Sequence, residues 1–252
     1  MNLQLEGKTC LVTGASAGIG VGIARIMARE GVRLAITARR RERLQALAEE
    51  IATECGEEPL VIAADLTQAA APEAISGAVH DRFGQLDILV NNAGGSRPVT
   101  PDAEDAKWDE AMELKFNMAR RLTTVFLAGM RSRKWGRIIN ITGILEPMGS
   151  NAALVACAAT HTWAKGLSRD LAGEGITVNC VPPGRINSEQ ILERLYPTEE
   201  SRQRFIDAHV PAGYFGEPED VGHLVAFLAS PLARYVNGSV IPVDGGMHRF
   251  AS

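Results

Sequence analysis

A chain of 252 residues, 46% of them hydrophobic, carries enough apolar material for one α/β domain of ordinary size. Its formal net charge of −4 leaves no basic footprint for nucleic acid, and no apolar run is long enough to span a bilayer. The four cysteines are scattered without metal or redox spacing, and MNLQLEGKTCLVTG lacks the basic-then-apolar layout of a signal peptide; the expectation is a cytoplasmic protein with free thiols and no metal.

Short apolar runs alternate with helix-period segments from end to end. Residues 9–12 read as a buried strand and 18–30 as a helix. Strands follow at 32–37, 60–64, 86–90, 136–141, 176–181 and 239–243. Helices fall at 40–55, 72–83, 107–130, 152–171 and 219–229, with 189–209 helical but broken at Pro197. The strands are continuous apolar runs rather than polar/apolar alternations, so both of their faces are covered. Alternating β and α with right-handed crossovers predicts a doubly wound α/β (Rossmann) fold, here a single domain over 1–252. The polar segment 187–214 has the position and composition of a lid.

Gly14, Gly18 and Gly20 lie between the first strand and the first helix, with Ser16 and Ile19 among them. In that context glycines permit a tight turn and a close approach of backbone N–H groups to a pyrophosphate at the helix N-terminus. The second strand ends at Arg39 and Arg40, where an acidic residue would select the ribose 2′-hydroxyl of NAD. Arginine there suits a 2′-phosphate, which puts NADP ahead of NAD. Asp65 and Leu66 follow the third strand, the former able to accept from an adenine amino group, and Asn91, Ala93 and Gly94 close the fourth.

At this point the chain resembles the short-chain dehydrogenase/reductase family. TGASAGIG at 13–20, NNAG at 91–94, GRIINIT at 136–142 and GITVNCVPPG at 175–184 match its blocks, as does the tail VNGSVIPVDGG. The resemblance implies a seven-stranded parallel sheet, cofactor contacts from Pro183, Gly184 and Ile186, a homotetramer or homodimer, and a small-molecule substrate. It matches Asn117, within LKFN, to the family's helix asparagine.

The family's serine position reads Gly143, and its YxxxK tyrosine and lysine fall on Ala153 and Cys157, or on Ala156 and Thr160, depending on the count. The proton chemistry must then come from elsewhere. Glu146 lies just past the fifth strand at the carboxyl edge of the sheet, and His161 one helical turn beyond Cys157. Glu146, His161 and Asn117 are the candidate catalytic residues, with Thr142, Cys157 and Tyr196 as lesser ones; Lys165 is two turns, about 12 Å, too far along the helix. The expected activity is hydride transfer between NADP(H) and a small carbonyl, alcohol or imine. A catalytically silent dinucleotide-binding partner of active homologues is the alternative, and non-redox lyase chemistry a third.

Overall fold

The computed structural model describes residues 1–250. Six strands, β1 (Thr9–Thr13), β2 (Arg33–Ala38), β3 (Leu60–Ala63), β4 (Ile88–Asn91), β5 (Gly136–Ile141) and β6 (Ile176–Val181), form one sheet in the order β3-β2-β1-β4-β5-β6. Every pair is parallel, with Val12 of β1 opposite Ile36 on one side and Val90 on the other. Chain order reverses between β1 and β4, and their carboxyl ends flank the crevice where ligands bind in open sheets of this kind.

Helices cover both faces. One core packs α1 (Ile19–Arg29), α2 (Arg41–Cys55) and α8 (Pro218–Ala229) on the sheet through Ile23, Met27, Leu44, Ile51 and Val225. The other packs α3 (Ala71–Phe83), α5 (Met118–Arg133) and α6 (Ala152–Leu171) through Ile75, Leu122, Met130 and Ala164. α1 and α8 cross closely because glycines face each other there. A Cβ on Gly22 would lie 2.5 Å from the Pro218 backbone, and one on Gly222 would lie 3.0 Å from the Gly22 carbonyl oxygen.

The seven-stranded expectation is corrected to six. The segment 239–243 does run parallel beside β6: Cys180 N–H donates to the Ser239 oxygen (2.9 Å) and Ile241 N–H to the Cys180 oxygen (2.9 Å). Beyond β6, however, come Pro182 and Pro183, which have no N–H to give. The ladder is reduced to isolated bridges at Cys180–Val240 and Pro183–Val243.

The segment 187–214 starts with a π-helical turn, Gln190–Leu195, followed by α7 (Glu199–His209). A small apolar cluster, Ile191, Val210 and Phe215 with Tyr196 and Phe205 against it, ties this segment together. Tyr196 stacks 4.8 Å from the Phe205 ring and 5.7 Å from Phe215, so its ring is committed to that cluster. No helix among the described residues is long and apolar enough to cross a membrane.

Candidate active site

The glycine loop adopts backbone that side chains resist. Gly14 and Gly18 have φ of +68° and +56°, in the left-handed region. A Cβ on Gly14 would sit 2.9 Å from the Ala93 Cα, and one on Gly20 2.4 Å from the Gly14 oxygen. α1 begins at Ile19 with no side-chain cap, so its leading amides are left for an anion. The loop is braced from β4. Thr13 Oγ1 accepts from the backbone N–H groups of Asn92 and Ala93, both at 2.9 Å, and Asn92 Nδ2 donates to the Thr13 oxygen at 2.8 Å.

Arg40 leans over this loop, with Nε 3.4 Å from Ser16 Oγ. Its Nη1 also donates to both carboxylate oxygens of Glu189, at 3.2 and 3.1 Å, and Arg43 reaches the same carboxylate at 2.7 Å. Arg39 is exposed. Asp65 accepts from the Thr67 backbone and hydroxyl, which holds its carboxyl below the usual range. Leu66 is buried in the core. A cradle that a Cβ would fill, an uncapped helix start and a guanidinium at the end of β2 together fit the phosphates of a dinucleotide.

Not every residue expected to touch a cofactor offers its side chain. Asn91 is buried: its Nδ2 donates to Asn140 Oδ1 at 2.9 Å, while its Oδ1 has no partner among the described residues. It lines a water-sized cavity of about 10 Å³ shared with Lys115, Asn140 and Thr160. Pro183 and Ile186 are held by bridges to Val243 and Gly216, and a Cβ on Gly184 would lie 2.6 Å from the Asp244 Cα.

The chemistry-bearing side chains gather where β4 and β5 end. His161, on the sheet-facing side of α6, has Nε2 2.9 Å from Thr142 Oγ1, and burial pushes its pKa below the ordinary 6.5. One turn earlier, Cys157 faces Gly143: a Cβ there would come within 3.6 Å of its Sγ and 2.8 Å of Leu154 Cδ2. Burial raises the Cys157 pKa, and the nearby Lys115 charge opposes this only in part, so the thiol stays protonated. Ala153, Ala156 and Thr160, the other positions singled out by counting, are also buried.

Lys115 is a residue that sequence reasoning missed. It belongs to a π-helical turn, Glu113–Asn117, that joins α4 (Asp105–Met112) to α5. Thr160 Oγ1, which donates to the Ala156 oxygen at 2.9 Å, also lies 3.4 Å from the Lys115 carbonyl oxygen. The side chain runs beneath Gly94, whose φ is +134° and whose Cβ would lie 2.5 Å from Lys115 Cε. Its ammonium ends 3.5 Å from the Thr142 oxygen.

Asn117, two residues on, points the other way. Its Nδ2 donates to Glu113 Oε2 at 3.1 Å, beside the Glu113–Arg121 ion pair and an outer groove bordered by Asp109 and Glu110. Glu146 accepts the backbone N–H groups of Arg249 and Phe250 and so holds the chain's tail. The structure thus brings His161, Thr142, Cys157 and Lys115 together and leaves Asn117 and Glu146 outside. No group of three or more potential metal ligands occurs among the described residues.

Comparison with known proteins is consistent along the whole chain. The family described as enoyl-(acyl carrier protein) reductase matches residues 14–248. The chain is 37% identical to the 3-oxoacyl-(acyl-carrier-protein) reductase FabG of Vibrio cholerae, over 98% of this chain and 99% of that one. It is 36% identical to a 2,3-dihydroxy-2,3-dihydro-p-cumate dehydrogenase of Pseudomonas putida, over 97% of this chain and 95% of that one. Among solved structures, L-sorbose reductase from Gluconobacter frateurii, complexed with NADPH and L-sorbose, superposes with a TM-score of 0.94 at 32% identity, covering 99% of this chain and 100% of that one.

Proposed function

Since the chain belongs to the short-chain dehydrogenase/reductase family, we propose that it is an NADP(H)-linked oxidoreductase acting on a small carbonyl, alcohol or imine with a non-standard proton-handling group. NADP is supported by Arg40 at the end of β2 and by the NADPH named with the L-sorbose reductase complex. Gly14, Ser16, Gly18, Ile19 and Gly20 would hold the pyrophosphate, Arg40 the 2′-phosphate, and Gly94 and Gly184 would let the remainder pass close to the backbone. When bound, the cofactor supplies or receives the hydride.

The observation that carries the proton chemistry is the His161–Thr142 pair at 2.9 Å. A ring kept neutral by burial accepts a proton when an alcohol is oxidised and passes it on to solvent; when a carbonyl is reduced, the ring takes a proton from solvent and delivers it to the substrate oxygen. Thr142 Oγ1 lies against the ring nitrogen and is the hydroxyl through which that proton passes. The Lys115 ammonium supplies positive charge beside the growing negative charge on the substrate oxygen. Cys157 and Gly143 form a small, uncharged wall. The tyrosines support no alternative donor: Tyr196 is packed in its cluster, and Tyr214 and Tyr235 are 64% and 100% exposed.

The test is NADPH consumption by the purified protein across small ketones, aldehydes and imines, repeated with His161→Gln. We expect turnover by the wild type and a loss of about 100-fold or more in kcat for the variant, with NADPH affinity unchanged. Undiminished turnover in the variant would move the proton group elsewhere. Tight NADPH binding with no turnover on any substrate would make the chain a dinucleotide-binding partner of active homologues.

A further inference from the structure

Glu189 sets up a competition at the cofactor site. Its carboxylate is gripped by two guanidinium groups, Arg40 through both oxygens at 3.2 and 3.1 Å and Arg43 at 2.7 Å. The arginines in turn hold the Glu189 carboxyl below the usual range. These partners are 149 and 146 residues away in sequence. The backbone on either side of Glu189 is fixed. Ser188 packs on the glycine loop, so close that a Cβ on Gly18 would lie 2.9 Å from its own Cβ. Asn187 N–H donates to the Gly216 oxygen at 2.7 Å, and Ile191 is buried in the apolar cluster. The carboxylate is therefore delivered to the arginines by the fold.

We propose that Glu189 is a specificity-determining residue, an internal anion that occupies the arginines a 2′-phosphate needs and thereby limits the preference for the phosphorylated dinucleotide. This rests on the NADP(H) reading above. Carboxylate and phosphate both ask for the same forked N–H donors. A 2′-phosphate must displace Glu189 or crowd a like charge against it. A 2′-hydroxyl carries no charge, leaves the ion pairs standing, and can donate to the carboxylate. Glu189 thus weakens NADPH binding while sparing or aiding NADH.

The experiment is direct titration of nucleotide-free protein with NADPH and with NADH, followed by nicotinamide fluorescence, for the wild type and Glu189→Gln. The amide keeps the size of the side chain and removes its charge. We expect NADPH to bind the variant about tenfold more tightly, the equivalent of about 1.4 kcal/mol, and NADH to bind equally or more weakly. The NADPH affinity of the variant should also fall more steeply with added salt, because the freed arginines are no longer compensated. Glu189→Asp retains the charge and should keep a preference ratio nearer the wild type, which separates charge from loss of packing. An unchanged NADPH/NADH ratio in Glu189→Gln, an equal gain for both nucleotides, or weaker NADPH binding would overturn the inference while leaving the cofactor reading intact. Failure of the wild type to bind either nucleotide would overturn both.

Discussion

At His161 the half-buried ring and the Thr142 hydroxyl lie 2.9 Å apart, in surroundings that disfavour a charged imidazole. The folded pKa lies below the ordinary 6.5, so the unfolded chain takes up this proton first as pH falls. The residue's contribution to stability is complete above pH 6.5 and is eroded from there down to the folded value. Denaturant unfolding at pH 7.5 and pH 5 should show a smaller loss on acidification in His161→Gln than in the wild type. A second residue-scale prediction concerns Gly94. At φ +134°, with Lys115 carbons where a Cβ would go, Gly94→Ala should cost about 1–3 kcal/mol in denaturant unfolding and dislodge the ammonium. His161 was legible because a histidine one turn beyond Cys157 is a local feature of one helix. Lys115 was not, since a lysine in LKFN reads as a solvated helix face until the neighbouring turns are known. The Arg40–Glu189 contact was equally hidden, because nothing local links residues so distant in the chain.

The elements themselves were largely legible. The spans read for β5, α6 and β6 coincide with Gly136–Ile141, Ala152–Leu171 and Ile176–Val181, since each is an unbroken apolar run or a sustained helical period between clear turn residues. The long helix expected over 107–130 proved to be α4, a π-helical turn and α5, because hydrophobic period does not register one wide turn. The last strand was over-read: its apolar residues are present, but its neighbour turns to proline where the ladder should continue. At α6, Asn151 is an N-cap whose Oδ1 accepts from the Ala153 and Leu154 N–H groups, while its Nδ2 donates to Ser96 Oγ at 2.8 Å. Asn151→Ala should destabilise the protein by about 0.5–2 kcal/mol, read as a lower denaturation midpoint. Because α6 carries both Cys157 and His161, the same variant should also loosen the site and lower kcat.

For the whole molecule, the crevice between β1 and β4 joins two separately packed cores, one on each face of the sheet. A ligand that binds only the folded chain there resists global unfolding by mass action. NADPH at 100 times its Kd should add about 2.7 kcal/mol, a rise in Tm of about 5–10 °C by calorimetry. The α1–α8 crossing is the opposite case, a contact with no slack. Gly22→Val should cost more than Gly22→Ala, and the smaller change alone should cost about 1–3 kcal/mol, because a Cβ meets backbone rather than a yielding side chain.

The π-helical turn at Glu113–Asn117 makes chain length, more than side-chain identity, the constrained quantity between α4 and α5. It acts as an added step in a screw thread. The half before it is phased to pack on α6, the half after it to pack on the sheet, and Lys115 sits at the join. Deleting one residue here would restore a regular α-helical pitch and better local hydrogen bonding, yet it would turn one half by about 100° against the other. Size-conserving point substitutions at the half-buried positions of this turn other than Lys115 should be mild, whereas any single-residue deletion should swing the ammonium out of the cleft. A lineage that lost that one residue would have to rebuild its charge from another helix.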